Sequence, residues 1–290
     1  MGLKLQRVES MDFIEWCNEH RNAVDRCLQS RFVDAWPPPF REATLYPLRT
    51  GGKRIRPLFA FASAEALGTE ITEDIVHVGA AVELIHTYSL VHDDLPCMDD
   101  DDERRGKPSA HIAFGEAAAL LVGDALLTEA FRTITHTDLD AETQIRLVAD
   151  LSEAAGHVGM IGGQAADIGL GGPVTDVDTL MRLHNGKTGA LIRAANRMGG
   201  IAAGATPEQL EILSRYGAAV GLAFQMADDI LDAEEDAGDD GPPSYVKLLG
   251  VDETRKRART LFEESISAAR LLPHPDALIS LAKFTIERDY

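Results

Sequence analysis

Apolar residues recur at helical spacing along most of the chain, and no alternation at period two persists. "LFAFASAEALG" at 58–68 and "IVHVGAAVELIHTYSLVHDD" at 75–94 set the pattern. Segments 115–135, 141–170, 176–203, 207–236, 252–271 and 275–288 repeat it. Many are apolar or small on most faces, as expected of helices inside a large bundle. Prolines interrupt seldom. Pro96 is the next after Pro57, and Pro173 the next after Pro108, so long helices are permitted. Loops are expected at "WPPPF" (36–40), "GLGGPVTD" (169–176), "AGAT" (203–206) and "DAGDDGPPS" (236–244). With no linker, low-complexity tract or strong repeat, residues 1–290 read as one all-α domain.

Composition narrows the function. Of 290 residues, 45% are hydrophobic, which supports a sizeable core. The net charge of −19 argues against nucleic acid or an anionic membrane surface as partner. An anionic substrate remains possible where metal ions sit between it and the protein. Cys17, Cys27 and Cys97 form neither a metal-ligand spacing nor an even disulfide framework, as expected of a reduced, cytoplasmic protein. "MGLKLQRVES" has no apolar leader core, and Gln6 breaks the myristoylation pattern. No run approaches eighteen apolar residues, so no membrane span is expected.

Against this background one stretch stands out, "HDDLPCMDDDDERRGK" at 92–107. Pro96 cannot sit inside a helix, so the preceding helix is expected to end near Asp94. That places Asp93 and Asp94 at a helix C-terminus, where the macrodipole already carries about half a negative charge. The placement is unfavourable unless cations arrive. A second apolar helix, "GAAVGLAFQMADDILDAEED", ends in Asp228, Asp229 and Asp232. Asp228 and Asp232 are four apart and share a face, where like charges repel. Both clusters suit hard divalent cations with oxygen ligands, Mg²⁺ best, since it keeps its waters and shares substrate phosphate oxygens. An EF-hand starting at Asp236 with Gly241 at its sixth place fails, because Lys247 stands where a bidentate Glu is required.

Basic clusters complement the acids. "GGKRIRP" at 51–57 puts Lys53, Arg54 and Arg56 just before a helix that Pro57 can start. "RRGK" at 104–107 supplies Arg104 and Arg105, whose forks suit phosphate. "NGKTG" at 185–189 offers Lys187 and Thr188, and it is not a P-loop, because Met181 replaces the required glycine.

Together these residues resemble the trans-prenyl diphosphate synthases, most closely the bacterial farnesyl diphosphate synthases. "DDLPCMDD" (93–100) is similar to the first aspartate-rich motif in its DDxxxxD form, and "FQMADDILD" (224–232) to the second, DDxxD. "GGKRIRP", "HTYSLVHDD", "RRGKPSAH", "GGQAADI" and "HNGKTGALIRAA" appear in the family's order and at similar spacing. The resemblance covers the chain from about residue 30 to its end. It implies an all-α bundle with a deep central cavity, a homodimer and three Mg²⁺ ions, with Mn²⁺ as a possible substitute. Carried over by motif position, Asp93, Asp94 and Asp99 would ligate two metals, and Asp228, with Asp229 and Asp232, the third. Arg104, Lys187, Thr188 and Gln225 would hold the allylic diphosphate or its metals. Lys53, Arg56, His86 and Arg105 would bind isopentenyl diphosphate, and Gln164 and Asp167 match a supporting motif of unassigned role.

The chemistry so implied is loss of the allylic diphosphate, with charge build-up met by metals and cationic side chains, then attack by the double bond of isopentenyl diphosphate. The departing diphosphate is the expected base, and no Ser/His/Asp or Cys/His signature is needed. Asp93, Asp94, Arg104, Lys187 and Asp228 are the expected catalytic group. Tyr88 lies five residues before Asp93, roughly 7.5 Å lower along an α-helix, and is bulky enough to act as a floor. Small Ser89 leaves room above it. In the farnesyl synthases that the chain resembles an aromatic here stops growth near fifteen carbons, so the resemblance implies farnesyl diphosphate as product, with geranylgeranyl diphosphate the alternative. The pattern departs from the family after the second motif. The loop is short, and Pro242 or Pro243 stands where a lysine that helps hold the allylic diphosphate is expected. Lys247 is the nearest substitute, and a weakly active or regulatory subunit is the alternative role.

Overall fold

Caps and prolines set the helix boundaries. The computed structural model describes the backbone of residues 2–235 and 243–286, with side chains described over 13–233 and 243–286. The chain forms two compact units, one of residues 1–61 and 71–148, the other of residues 62–70 and 149–290.

The first unit holds α1 (Gly2–Ser30), α2 (Pro38–Arg49), the start of α3 (Ile55–Glu65), α4 (Glu73–Asp93), α5 (Ala110–Phe114), α6 (Glu116–Ile134) and the first half of α7 (Ala141–Ala155). Thr72 caps α4 by accepting from the Ile75 amide at 3.5 Å, and Asp94 is its C-cap. The expected end near Asp94 is therefore observed. Val78, Val82, Leu84, Ile85 and Tyr88 are all buried on α4, so this helix has no solvent stripe of the amphipathic kind.

Two local features of this unit differ from the pattern reading. "WPPPF" is not all loop: α2 starts at Pro38, because a proline in the first turn loses no bond a helix would otherwise make. The acidic stretch ends in a tight antiparallel hairpin, β1 (Glu103–Arg104) with β2 (Lys107–Pro108). Its turn residues Arg105 and Gly106 have φ of 57° and 75°, the left-handed pair of a two-residue hairpin turn.

The second unit holds the rest of α7, α8 (Met160–Asp167), α9 (Val177–His184), a π turn (Asn185–Gly189), α10 (Ala190–Ala202), α11 (Pro207–Glu235), α12 (Tyr245–Leu249), α13 (Val251–Ala269) and α14 (Asp276–Ile286). Segment 141–170, expected as one helix, is broken between α7 and α8. Gly159, at φ −118° and ψ −125°, leaves helical space where glycine resists continuation. Segment 176–203 runs helically from Val177 to Ala202 with a widened turn in the middle. Leu180, Leu222, Met226, Tyr245 and Ala258 form one core cluster.

A buried polar bond ties α11 to α14. Tyr216 is fully buried, and its hydroxyl donates to the Leu278 carbonyl at 2.7 Å. Tyr216→Phe removes this bond and keeps the ring. Equilibrium urea unfolding should show a loss of about 1 kcal/mol with an unchanged slope.

Candidate active site

In the first unit, the last turn of α4 feeds a compact loop. The Asp99 amide donates to the Asp93 carbonyl at 2.8 Å, and the Met98 amide to Leu95 at 2.8 Å, so Pro96 and Cys97 are looped out and Asp99 returns beside Asp93. Asp94 is buried and accepts from Arg104 Nε at 2.9 Å, and Asp101 accepts from the same guanidinium at 2.8 Å. Asp101 had no assigned role in the sequence, and here it shares Arg104 with Asp94. The hairpin brings Arg104 back to α4.

Next to this loop lies an excess of positive charge. Arg54 is buried with φ of 49° and is fully committed: Nε to Asp25 at 2.9 Å, Nη1 to Glu83 at 2.9 Å, and Nη2 to the Leu48 carbonyl. Burial works against its charge, but Glu83 and Asp25 outweigh it and hold its pKa above the ordinary value. Arg54 is thus a brace at the junction between Lys53 and the first turn of α3, which carries Arg56. Arg56 Nε is buried with no protein partner, and burial, with Arg105 nearby, lowers its pKa. Arg105 donates to the Gly51 carbonyl. Burial, then Arg56, Arg105, Arg54 and Arg104 in turn, push His86 well below the usual histidine range. Five cationic or ionisable basic groups converge here, which suits a polyanion. A cavity beside them is lined by Thr50, Thr87, Leu90, Asp94, Arg104 and Ser109.

Glu83 is the residue that sequence reading missed. It is buried within an apolar helix, and a carboxylate in such a place needs a cation. That burial was the available signal. Tyr88 is buried and its hydroxyl has no protein partner; burial, then the Asp93 charge, push its pKa up to about 12. Ser89 donates back to the His86 carbonyl at 2.9 Å.

In the second unit, Lys187 sits on the π turn and pairs with Asp167 of α8. The two elements touch because residue 163 is glycine: a Cβ there would lie 2.0 Å from the Lys187 amide nitrogen. Thr188 is half-buried on the same turn, and both amide atoms of neighbouring Gln164 are buried without a protein partner. His184 packs edge-on against Tyr245, with centroids 5.2 Å apart, and burial lowers its pKa to about 4.

Of the three aspartates at the end of α11, Asp229 is the buried one, Asp228 is half-buried and Asp232 exposed. Asp229 accepts the Tyr245 amide at 2.6 Å. Burial, with the charges of Asp232 and Asp228 adding to it, pushes its pKa up to about 6, although the Tyr245 amide and Gln225 pull the other way. Pro243 and Lys247 are exposed at the start of α12, and the Lys247 amide donates to Ser244 at 3.2 Å. Pro242, Asp236 and Gly241 lie outside the described residues.

The donor set fits magnesium without forming a ready cage. Among the described residues no three carboxylate, imidazole or thiolate groups converge on one point. Mg²⁺ is commonly held by one or two carboxylates plus waters and substrate phosphates, and a divalent cation beside Asp229, Asp228 and Asp232 would offset the repulsion between their charges. Asp93, Asp94 and Asp99 in one unit and Asp228, Asp229 and Asp232 in the other are all hard oxygen donors. No described helix is long and apolar enough to cross a membrane.

Known proteins carry the same architecture. A farnesyl diphosphate synthase of Escherichia coli (strain K12) is 40% identical over 96% of this chain and 100% of its own length. Geranylgeranyl pyrophosphate synthase 11, chloroplastic, of Arabidopsis thaliana is 39% identical over 91% of this chain and 78% of its own. The crystal structure of an FPP/GFPP synthase from Zymomonas mobilis superposes with a TM-score of 0.88 at 34% identity, over 95% of this chain and 99% of that one. The sequence profile of the polyprenyl synthetases matches residues 37–247. Matching in fold and in sequence over nearly its whole length, the chain belongs to the polyprenyl synthetase family.

Proposed function

We propose that this enzyme joins isopentenyl diphosphate head to tail to dimethylallyl or geranyl diphosphate and releases farnesyl diphosphate. The observation that carries the reading is the cluster of Arg56, Arg104, Arg105 and His86, basic groups crowded at the end of α4 in a chain of net charge −19. In this reading Lys53, Arg56, His86 and Arg105 hold isopentenyl diphosphate, while Arg104, Lys187, Thr188 and Gln225 hold the allylic diphosphate. Asp93, Asp94, Asp99, Asp228, Asp229 and Asp232 hold Mg²⁺, three ions per site. Bound Mg²⁺ supplies neutralisation of the charge that builds on the leaving diphosphate. Arg104 and Lys187 add to it as fixed cations, needing no reorganisation when the C–O bond breaks. Apolar walls exclude water from the resulting allylic cation, the isopentenyl double bond attacks it, and the proton leaves to the freed diphosphate. Both compact units belong to the one domain expected over 1–290. A homodimer is supported by Leu120 and Leu121 on α6 and Ile145 on α7, which are left exposed.

Tyr88 supports the fifteen-carbon product over the twenty-carbon one, because its buried ring stands below Asp93 on α4. Purified protein with Mg²⁺, isopentenyl diphosphate and dimethylallyl, geranyl or farnesyl diphosphate tests this. Fifteen-carbon product from the first two primers, and none from the third, is expected. No product from any primer favours a regulatory subunit, and efficient use of the third favours geranylgeranyl synthesis. Tyr88→Ala should extend the product; an unchanged length removes Tyr88 from the argument.

Asp229 gives a test that does not depend on turnover. Its folded pKa of about 6 lies above an unfolded value of about 3.9. The folded chain therefore holds this proton longer, and metal-free stability falls as pH rises from about 4 through about 6. Asp229→Asn can still accept the Tyr245 amide. In chelator it should melt higher than wild type at neutral pH and equally below about pH 4. Magnesium with inorganic diphosphate should then stabilise wild type more than the variant, read by thermal unfolding.

A further inference from the structure

Tyr88 can limit product length only if its ring is held in place, and its hydroxyl makes no bond to the protein. Its one aromatic neighbour among the described residues is His92, one turn further along α4, with centroids 5.8 Å apart and rings at 80°. Helical side chains lean towards the N-terminus, so the His92 ring lies over the turn that carries Tyr88.

His92 is itself locked from the far side. Its Nε2 lies 3.0 Å from the Leu120 carbonyl of α6, and a carbonyl only accepts, so Nε2 carries the proton. The imidazole fills the space that a side chain at residue 123 would need. A Cβ on Gly123 would lie 2.0 Å from Nε2 and 2.3 Å from Cδ2. A glycine inside a helix costs roughly 0.5–1 kcal/mol relative to alanine, and here its absent side chain admits a ring.

We propose that His92 is a positioning residue for product length: seated in the gap at Gly123 and tied to the Leu120 carbonyl, its imidazole keeps the Tyr88 ring in place as the floor beneath the growing chain. The proposal rests on the elongation reading above. It adds to that reading a link from α6 through His92 to Tyr88. His92 stands beside the aspartates, and its effect is on where growth stops.

Three variants separate the ring, the hydrogen bond and the gap. His92→Gln can keep a donor for Leu120 but loses the ring. His92→Phe keeps a ring but loses the donor. Gly123→Ala expels the imidazole. With Mg²⁺, isopentenyl diphosphate and geranyl diphosphate, the ratio of longer to fifteen-carbon product is measured. His92→Gln and Gly123→Ala should raise it roughly three- to tenfold, the scale that one aromatic pair supports, while His92→Phe, which keeps a ring but loses the tie to Leu120, should raise it less. The double variant His92→Ala/Gly123→Ala, which removes the clash, should fold and still give the longer product. An active His92→Gln variant with the wild-type product ratio overturns the proposal alone. A wild-type chain that elongates no primer overturns both it and the reading it rests on.

Discussion

A helix buried on every side can carry charge only where a partner or an end receives it, and α4 is such a helix. Its apolar length commits it to the interior, yet it bears Glu83 in the middle and Asp93 at its last position, with Asp94 as cap. Glu83 is tolerable because Arg54 reaches it at 2.9 Å, and Arg54 in turn is held by Asp25 and a backbone carbonyl. Breaking one partner of such a buried set typically costs 3–5 kcal/mol, since a charge is left uncompensated. The start of α3, with Lys53 just before it and Arg56 in its first turn, is therefore anchored through Arg54. Lys53 and Arg56, on either side of Arg54, inherit their places from that anchor, while Arg104 is held by Asp94 and Asp101.

The same reasoning separates anchoring cations from binding ones. Arg54 spends its donors on the protein. Arg56 keeps a buried nitrogen without a protein partner, and its pKa is lowered rather than raised. Two arginines two residues apart at the start of α3 thus differ in role by their partners, although the sequence writes them alike. Arg104 is intermediate. Asp94 raises its pKa through a direct bond, so a ligand recruiting this guanidinium must share it with a carboxylate that is also a candidate metal ligand.

Much of this was legible in the sequence, for physical reasons that are local. Helices were marked by period, and the end of α4 by Pro96, because both signals lie within a few residues of the structure they specify. The aspartate motifs, too, are short-range patterns. What escaped was set by distant partners or by single glycines. Arg54 and Glu83 are 29 residues apart, and nothing local pairs them. The break between α7 and α8 turned on Gly159, whose backbone angles fall outside the helical region. The hairpin at 103–108 was hidden because its strands are two residues each and highly charged. α1 and α2 were missed, α2 because prolines at a helix start look the same as prolines in a loop.

Charge also explains why stability and function oppose each other here. In the second unit Asp229 is pushed up to about 6 by burial and by its two neighbours, and in the first unit burial and four arginines push His86 down. One region has a surplus of negative charge and the other of positive charge, and each is relieved only in part by its own fold. Each would be relieved by the chemical opposite of its own surplus, a divalent cation in one case and a diphosphate in the other. In the proposed reading, the aspartates of one unit and the arginines of the other cost folding energy in the ligand-free chain, and each group would be stabilised by the ligand of opposite charge.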